Sequence, residues 1–282
     1  MKKICFIALL MIFLTTFFSV TKVSVSIPPQ KTFVEAVGKE LVDVTVIIPP
    51  GYSPANYAPT ARQIIDFSRS SVYFTIGVPA ETSNILPKIA ANAPNMKIIK
   101  LWEKVDSVYE PRYFSEENRD PHIWLSPKRV VVMIEAIRDY LSSTDPQNRD
   151  IYKANANEYI AKLDQLNSEI EQKLSEIEGK GFFCFHPSFG YFADDYSLIM
   201  HALEENGKEA TPKKLAEMVE LARKKHYKVI FFQAEIDSSQ TKSFANEIGG
   251  KALKLDPLSE DYCENLKKMG QIFLDVLGEN NG

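Results

Sequence analysis

Cysteine is nearly absent from these 282 residues: Cys5, Cys184 and Cys263 are the three, and none stands in a CxxC pair. Dithiol redox catalysis is thereby excluded. An excess of positive charge is missing too, since 33 Lys and Arg face 37 Asp and Glu for a formal net charge of −4. With no basic patch to meet a phosphate backbone, nucleic acid is not an expected partner. The chain has no HExxH helix, no GxSxG elbow and no evident general base, which argues against a zinc hydrolase. Low-complexity tracts and a fixed-period repeat are likewise lacking. Histidine is rare, with four in the chain, so where each one falls carries information.

The N-terminus reads as an export signal over residues 1–21: Lys2 and Lys3, an apolar stretch from Ile4 to Phe18, then the small residue Ser19. A lipid anchor needs a cysteine after such a stretch, and Cys5 lies on its wrong side. The expectation is an exported protein, periplasmic or extracellular and soluble after cleavage, with no lipobox. Cys184 and Cys263 are expected to remain unpaired.

From residue 22 onward short β-rich runs alternate with helical patterns, which implies parallel strands joined by helical crossovers. Strands are expected over 23–27, 41–48, 71–76 and 96–101, and helices over 30–37, 60–68 and 82–91. Ser126-Pro127 is a strong helix start, with serine as cap and proline at the first helical position. From Arg149 to about Glu178 no Gly or Pro interrupts apolar residues recurring at steps of three and four, from Tyr152 through Leu163 to Ile177. That stretch reads as a rigid connector over 148–178 between an N-terminal lobe, 22–147, and a C-terminal lobe, 179–282. The second lobe repeats the alternation, with strands over 182–185, 229–232 and 252–255 and helices over 211–224, 238–248 and 260–277. The fold class is α/β: two βα lobes with mainly parallel sheets joined by one long rigid helix.

Two of the four histidines stand beside rigid prolines, in Asp120-Pro121-His122 and in His186-Pro187 after the apolar run from Phe182 to Phe185. This placement suggests metal ligation, with Asp256 before Pro257 as a third donor. Asp256 has a plainer alternative, the capping of the following turn. His201, read as helical between Leu198 and Leu203, and His226, beside Lys224 and Lys225, are taken as structural or solvated. The aromatics Phe182, Phe183, Phe185, Phe189, Tyr191 and Phe192 read as core, and Asp194-Asp195 as a solvated turn or helix start.

The ordered set formed by Ser26-Ile27-Pro28-Pro29-Gln30, the loop from Pro49 to Thr60, the run from Asp120 through His122 to Pro127, His186-Pro187-Ser188-Phe189-Gly190-Tyr191-Phe192 and Leu255-Asp256-Pro257-Leu258 resembles the metal-binding solute-binding proteins of zinc and manganese ABC transporters. The resemblance spans essentially the whole chain after the export signal. It implies a monomeric carrier that catalyses nothing, holds a metal between two lobes and delivers it to a permease coupled to a cytoplasmic ATPase. It also implies His122, His186 and Asp256 as metal ligands. Zinc is the preferred cargo over manganese, because a histidine rather than a carboxylate stands at position 186.

One departure matters. The resemblance calls for a histidine where Ala55 stands, and often for an acid where Ala58 stands. The site must then use water in the open position, borrow Tyr52, Tyr57 or Glu81 as a substitute ligand, or carry altered or non-metal cargo, including an adhesive role on the same scaffold. The histidine-rich loop common in zinc members is missing from residues 107–120, which hold acids but no imidazole.

Overall fold

The computed structural model describes residues 20–204, 207–233, 235 and 239–278. The expected export signal falls outside these except for Val20 and Thr21. The first lobe runs β1 (Thr21–Val25), α1 (Pro28–Gly38), β2 (Val42–Val46), α2 (Ala61–Phe67), β3 (Val72–Thr75), a π-type turn at Glu81–Ile85 leading into α3 (Leu86–Asn92), β4 (Lys97–Lys100) and α4 (Leu101–Asp106). Its four strands are all parallel in the order β2-β1-β3-β4, with Val23 opposite Val44 on one side and Val72 on the other. Val23, Val25, Val72, Tyr73 and Phe74 are fully buried, as strands covered on both faces require. Helix α1 starts two residues earlier than its apolar pattern suggests. Pro28 and Pro29 fit the first turn, where their missing N–H groups cost nothing, and the Gln30 side chain accepts from the amides of Ser26 and Ile27.

A short antiparallel hairpin follows, β5 (Tyr113–Ser115) with β6 (Asn118–Arg119). Then come α5 (Pro127–Thr144), capped by the Ser126 hydroxyl, and α6 (Arg149–Leu174). At about 1.5 Å per residue α6 is roughly 39 Å long. The second lobe runs β7 (Gly181–Cys184), α7 (Gly190–Asp195), β8 (Ile199–Ala202), α8 (Pro212–Lys225), β9 (Val229–Gln233), α9 (Ser239–Glu247), β10 (Lys251–Leu255) and α10 (Tyr262–Gly278). Its sheet is again all parallel, in the order β10-β9-β7-β8. In each sheet the second strand in chain order flanks the first on one side, and the third and fourth extend the other. His201 therefore belongs to strand β8 and not to a helix. The edge strand is only four residues long, too short to declare a period, and Leu198 and Leu203 outside it mimic helical spacing.

The buried face of α6, Tyr152, Ala156, Tyr159, Leu163, Leu166, Ile170 and Leu174, packs against both lobes. Asn155 donates to the Val37 carbonyl at the end of α1 at 3.0 Å, and Lys173 reaches Gln271 of α10 at 2.7 Å. The lobes are also joined directly. Asp195 is not the solvated turn residue its Asp-Asp context suggests: its carboxylate, 3% exposed, accepts from Ser126 at 2.5 Å and Arg129 at 2.8 Å and pairs with Lys128 at 2.7 Å. The Arg129 guanidinium lies over the rings of Tyr109 and Tyr191 at 5.2 and 4.6 Å. Trp124 donates its indole N–H to the Pro257 carbonyl at 2.7 Å. Both thiols are free, Cys184 in the core of β7 and Cys263 half-buried on α10.

Asp195→Ala strips the partner from a buried guanidinium, for which about 3 kcal/mol is the expected cost. Urea unfolding should show that loss with an unchanged denaturant slope; a loss within about 0.5 kcal/mol, the usual surface range, would mean the latch does not hold the lobes.

Candidate metal centre

The carboxyl ends of both sheets face a cleft of about 610 Å³, where open parallel sheets place their ligands. Its walls come from the loops after β2 (Ser53, Pro54, Ala55) and β3 (Val78, Pro79), the β5–β6 hairpin, the ends of β8 and β9 (Glu204, Gln233), and Pro257 and Leu258 after β10. His122 and His186 both line it.

His122 sits where Pro121 ends the hairpin and a 3-10 turn, Ile123–Leu125, leads into α5. Asp120, fully buried, receives two bonds through Oδ1: the His122 backbone N–H at 2.9 Å and the ring Nδ1 at 2.7 Å. A carboxylate only accepts, so Nδ1 carries the proton and Nε2 presents a lone pair to the cleft. Arg112 approaches the other oxygen of Asp120 at 3.4 Å and fixes the carboxylate from behind. His186, two residues beyond β7, is held in the same manner, its Nδ1 lying 2.9 Å from Glu204 Oε1.

The two rings meet tip to tip. Nε2 of His122 lies 3.3 Å from Nε2 of His186. With both Nδ1 atoms donating to carboxylates, two lone pairs are crowded together at the cleft, an arrangement that repels unless a positive charge sits where they converge. Burial drives the His122 ring below its ordinary titration range; the Asp120 carboxylate opposes that shift and His186 adds to it. The ring is thus neutral at pH 7 and available as a ligand.

The other ligands expected from the sequence lie apart from this pair. Asp256 is exposed and does not line the cleft; its Oδ1 accepts from the Leu258 amide at 3.0 Å. Glu81 is 2% exposed and turned inward, bonded to Ser26 and to the amides of Ile76 and Gly77 at 2.8 Å each. Burial pushes its carboxyl up to about 7 against those bonds. Tyr57 exchanges hydrogen bonds with Gln63, and Tyr52, 55% exposed, packs its edge on Tyr57. Ala55 does line the cleft. Among the described residues, no group of three or more His, Cys, Asp or Glu side chains is placed to hold a metal ion.

Sequence reasoning missed Glu204 and Arg112. Glu204 follows the edge strand whose period was too short to read, and Arg112 reaches Asp120 only through the fold of the hairpin. Asp120 was in the motif, but nothing local distinguishes an orienting carboxylate from a ligand.

A family description, the periplasmic zinc-uptake complex component A called ZnuA, matches residues 23–275. The chain belongs to the ZnuA family. The zinc-binding protein AdcA of Streptococcus pyogenes serotype M3 is 30% identical over 92% of this chain and 54% of its own length, so the chain spans about half the length of the AdcA relatives it matches. A crystal structure of ZnuA superposes with a TM-score of 0.86 at 34% identity, covering 92% of this chain and 99% of that one. A ZnuA deletion mutant with zinc bound gives 0.85 at 34% identity over 91% and 98% of the two chains. The α/β fold with two parallel sheets and one long helix is that of the family, and the family's described role is that of an uptake component, not a catalyst. No helix among the described residues is long and apolar enough to cross a membrane.

Because the folded-state ring of His122 titrates below the ordinary 6.5, its contribution to stability is present above that pH and is lost as pH falls through the folded value. In metal-free buffer the unaltered protein should therefore lose more stability between pH 7 and pH 5 than His122→Gln does. Equal losses in paired urea titrations would refute the neutral ring.

Proposed function

We propose that this protein captures zinc outside the cytoplasm and hands it to the permease of an ABC uptake transporter driven by a cytoplasmic ATPase, acting as a monomer. One observation carries the reading: the 3.3 Å between the two facing Nε2 atoms. Zinc–imidazole bonds of about 2.0–2.1 Å at a tetrahedral angle put two nitrogen donors about 3.3 Å apart, so the rings already span one edge of a zinc tetrahedron. Two imidazole nitrogen donors also favour zinc over manganese, which prefers carboxylate and water oxygens. Family membership and the zinc-bound relative support the same cargo.

The protein donors in this reading are His122 and His186, with Asp120 and Glu204 fixing their tautomers from behind. Asp256 is not required, since its carboxylate already caps the Leu258 amide. Alanine at position 55 supplies no donor, so among the described residues two vertices of the tetrahedron are left to the cleft. The bonds across α6 and around Asp195 hold the lobes together, so loading is expected to adjust the rings and not to swing the lobes.

Zinc at a hundredfold excess over its dissociation constant should raise unfolding stability by about 2.7 kcal/mol. His122→Ala or His186→Ala should weaken zinc binding at least a hundredfold in competition titrations with a fluorescent chelator, Ala55→His should tighten it, and Asp256→Asn should change it less than threefold. Tight binding that survives the loss of either imidazole would overturn the assignment.

A further inference from the structure

We propose that the cleft receives its metal as a complex with a small bidentate chelator, an α-amino or α-hydroxy carboxylate, whose two donors fill the vertices that the described residues leave open. The inference rests on the reading of His122 and His186 as the metal pair and goes beyond it to the form in which the cargo arrives.

Three observations carry it. The first is the shortage of donors: the two imidazoles supply one edge of a tetrahedron, Ala55 presents a methyl group at the cleft wall, and no third His, Cys, Asp or Glu joins them among the described residues. The second is room. A zinc ion with two waters needs under about 100 Å³, at roughly 30 Å³ per water, whereas the cleft holds about 610 Å³, within the roughly 300–1,000 Å³ of pockets that enclose small organic ligands.

The third is the chemistry of the lining. Arg112, Arg119 and Asn118 stand on the hairpin side of the same cleft. Arg119 is committed to Asp106 at 2.6 and 2.9 Å and to the Asp120 carbonyl. Arg112 gives Nη1 to Asp194 and turns Nε toward Asp120, and among the described residues no hydrogen bond uses its Nη2. A guanidinium with donors to spare, on the wall of the same cleft as the two imidazoles, suits a carboxylate oxygen that is not bound to the metal. A bare hydrated ion would leave these donors and most of the cleft to solvent. A metal–chelator complex uses both, and its two donor atoms replace the two waters without new protein ligands.

The test is native mass spectrometry and stopped-flow metal release on the purified protein, loaded with zinc alone, with zinc and L-histidine, or with zinc and citrate. The expected result is a 1:1:1 complex with at least one chelator and zinc release at least tenfold slower than from the zinc-only protein. Ala55→His, which fills one open vertex, should bind zinc alone tightly and lose the tenfold effect. Zinc retained 1:1 with no chelator mass and an unchanged release rate would overturn the chelator inference and leave the zinc assignment standing. Failure to retain zinc under any of the three loadings would overturn both.

Discussion

Two imidazole nitrogens with free lone pairs held 3.3 Å apart are the constraint on which the rest of the structure depends. Left without a cation they repel, so something must hold them there. Each ring is pinned from behind by a carboxylate, Asp120 or Glu204, and each carboxylate is itself anchored, the first by Arg112 and the second by the end of β8. Because the rings come from opposite lobes, their spacing is also the spacing of the lobes. The buried Asp195 cluster, the Trp124–Pro257 bond and the length of α6 act against any drift in it. A rigid scaffold of this kind stores the site's geometry in advance, so little ordering cost falls on the ion when it binds.

The two sheets share one strand order although no repeat is detectable along the chain. Parallel βα units place ligands where the order reverses, at the carboxyl ends of the central strands. His186 occupies that position two residues past β7, directly on the strand that the reversal turns about. His122 reaches the same point by a longer route, through the β5–β6 hairpin and a 3-10 turn. The two lobes line the cleft differently: the first contributes the loop with Ala55 and the hairpin side with Arg112 and Arg119, and the second contributes the strand ends.

Much of the fold was legible in the residues. The long helix announced itself through uninterrupted three- and four-residue steps, α5 through Ser126-Pro127, and the paired histidines through their prolines. What escaped was short or purely tertiary. Strand β8, four residues at a sheet edge, offers no period, and α4 hides because Leu101 and Val105 are its only buried apolar pair. Glu204 followed β8 out of view. Asp195 looked solvated because an acidic dipeptide usually is, and only the approach of Arg129 and Ser126 from the other lobe reverses that. The candidate ligands divide in the same way. The two imidazoles come together, while Asp256 and Glu81 are engaged by backbone amides that sequence spacing does not reveal.

The most direct measurement is X-ray absorption at the zinc edge of the loaded protein. Two imidazole nitrogens at about 2.0–2.1 Å with oxygen or nitrogen from small ligands in the remaining positions is the predicted first shell. A shell with one imidazole or none, or one containing sulfur, would contradict the account.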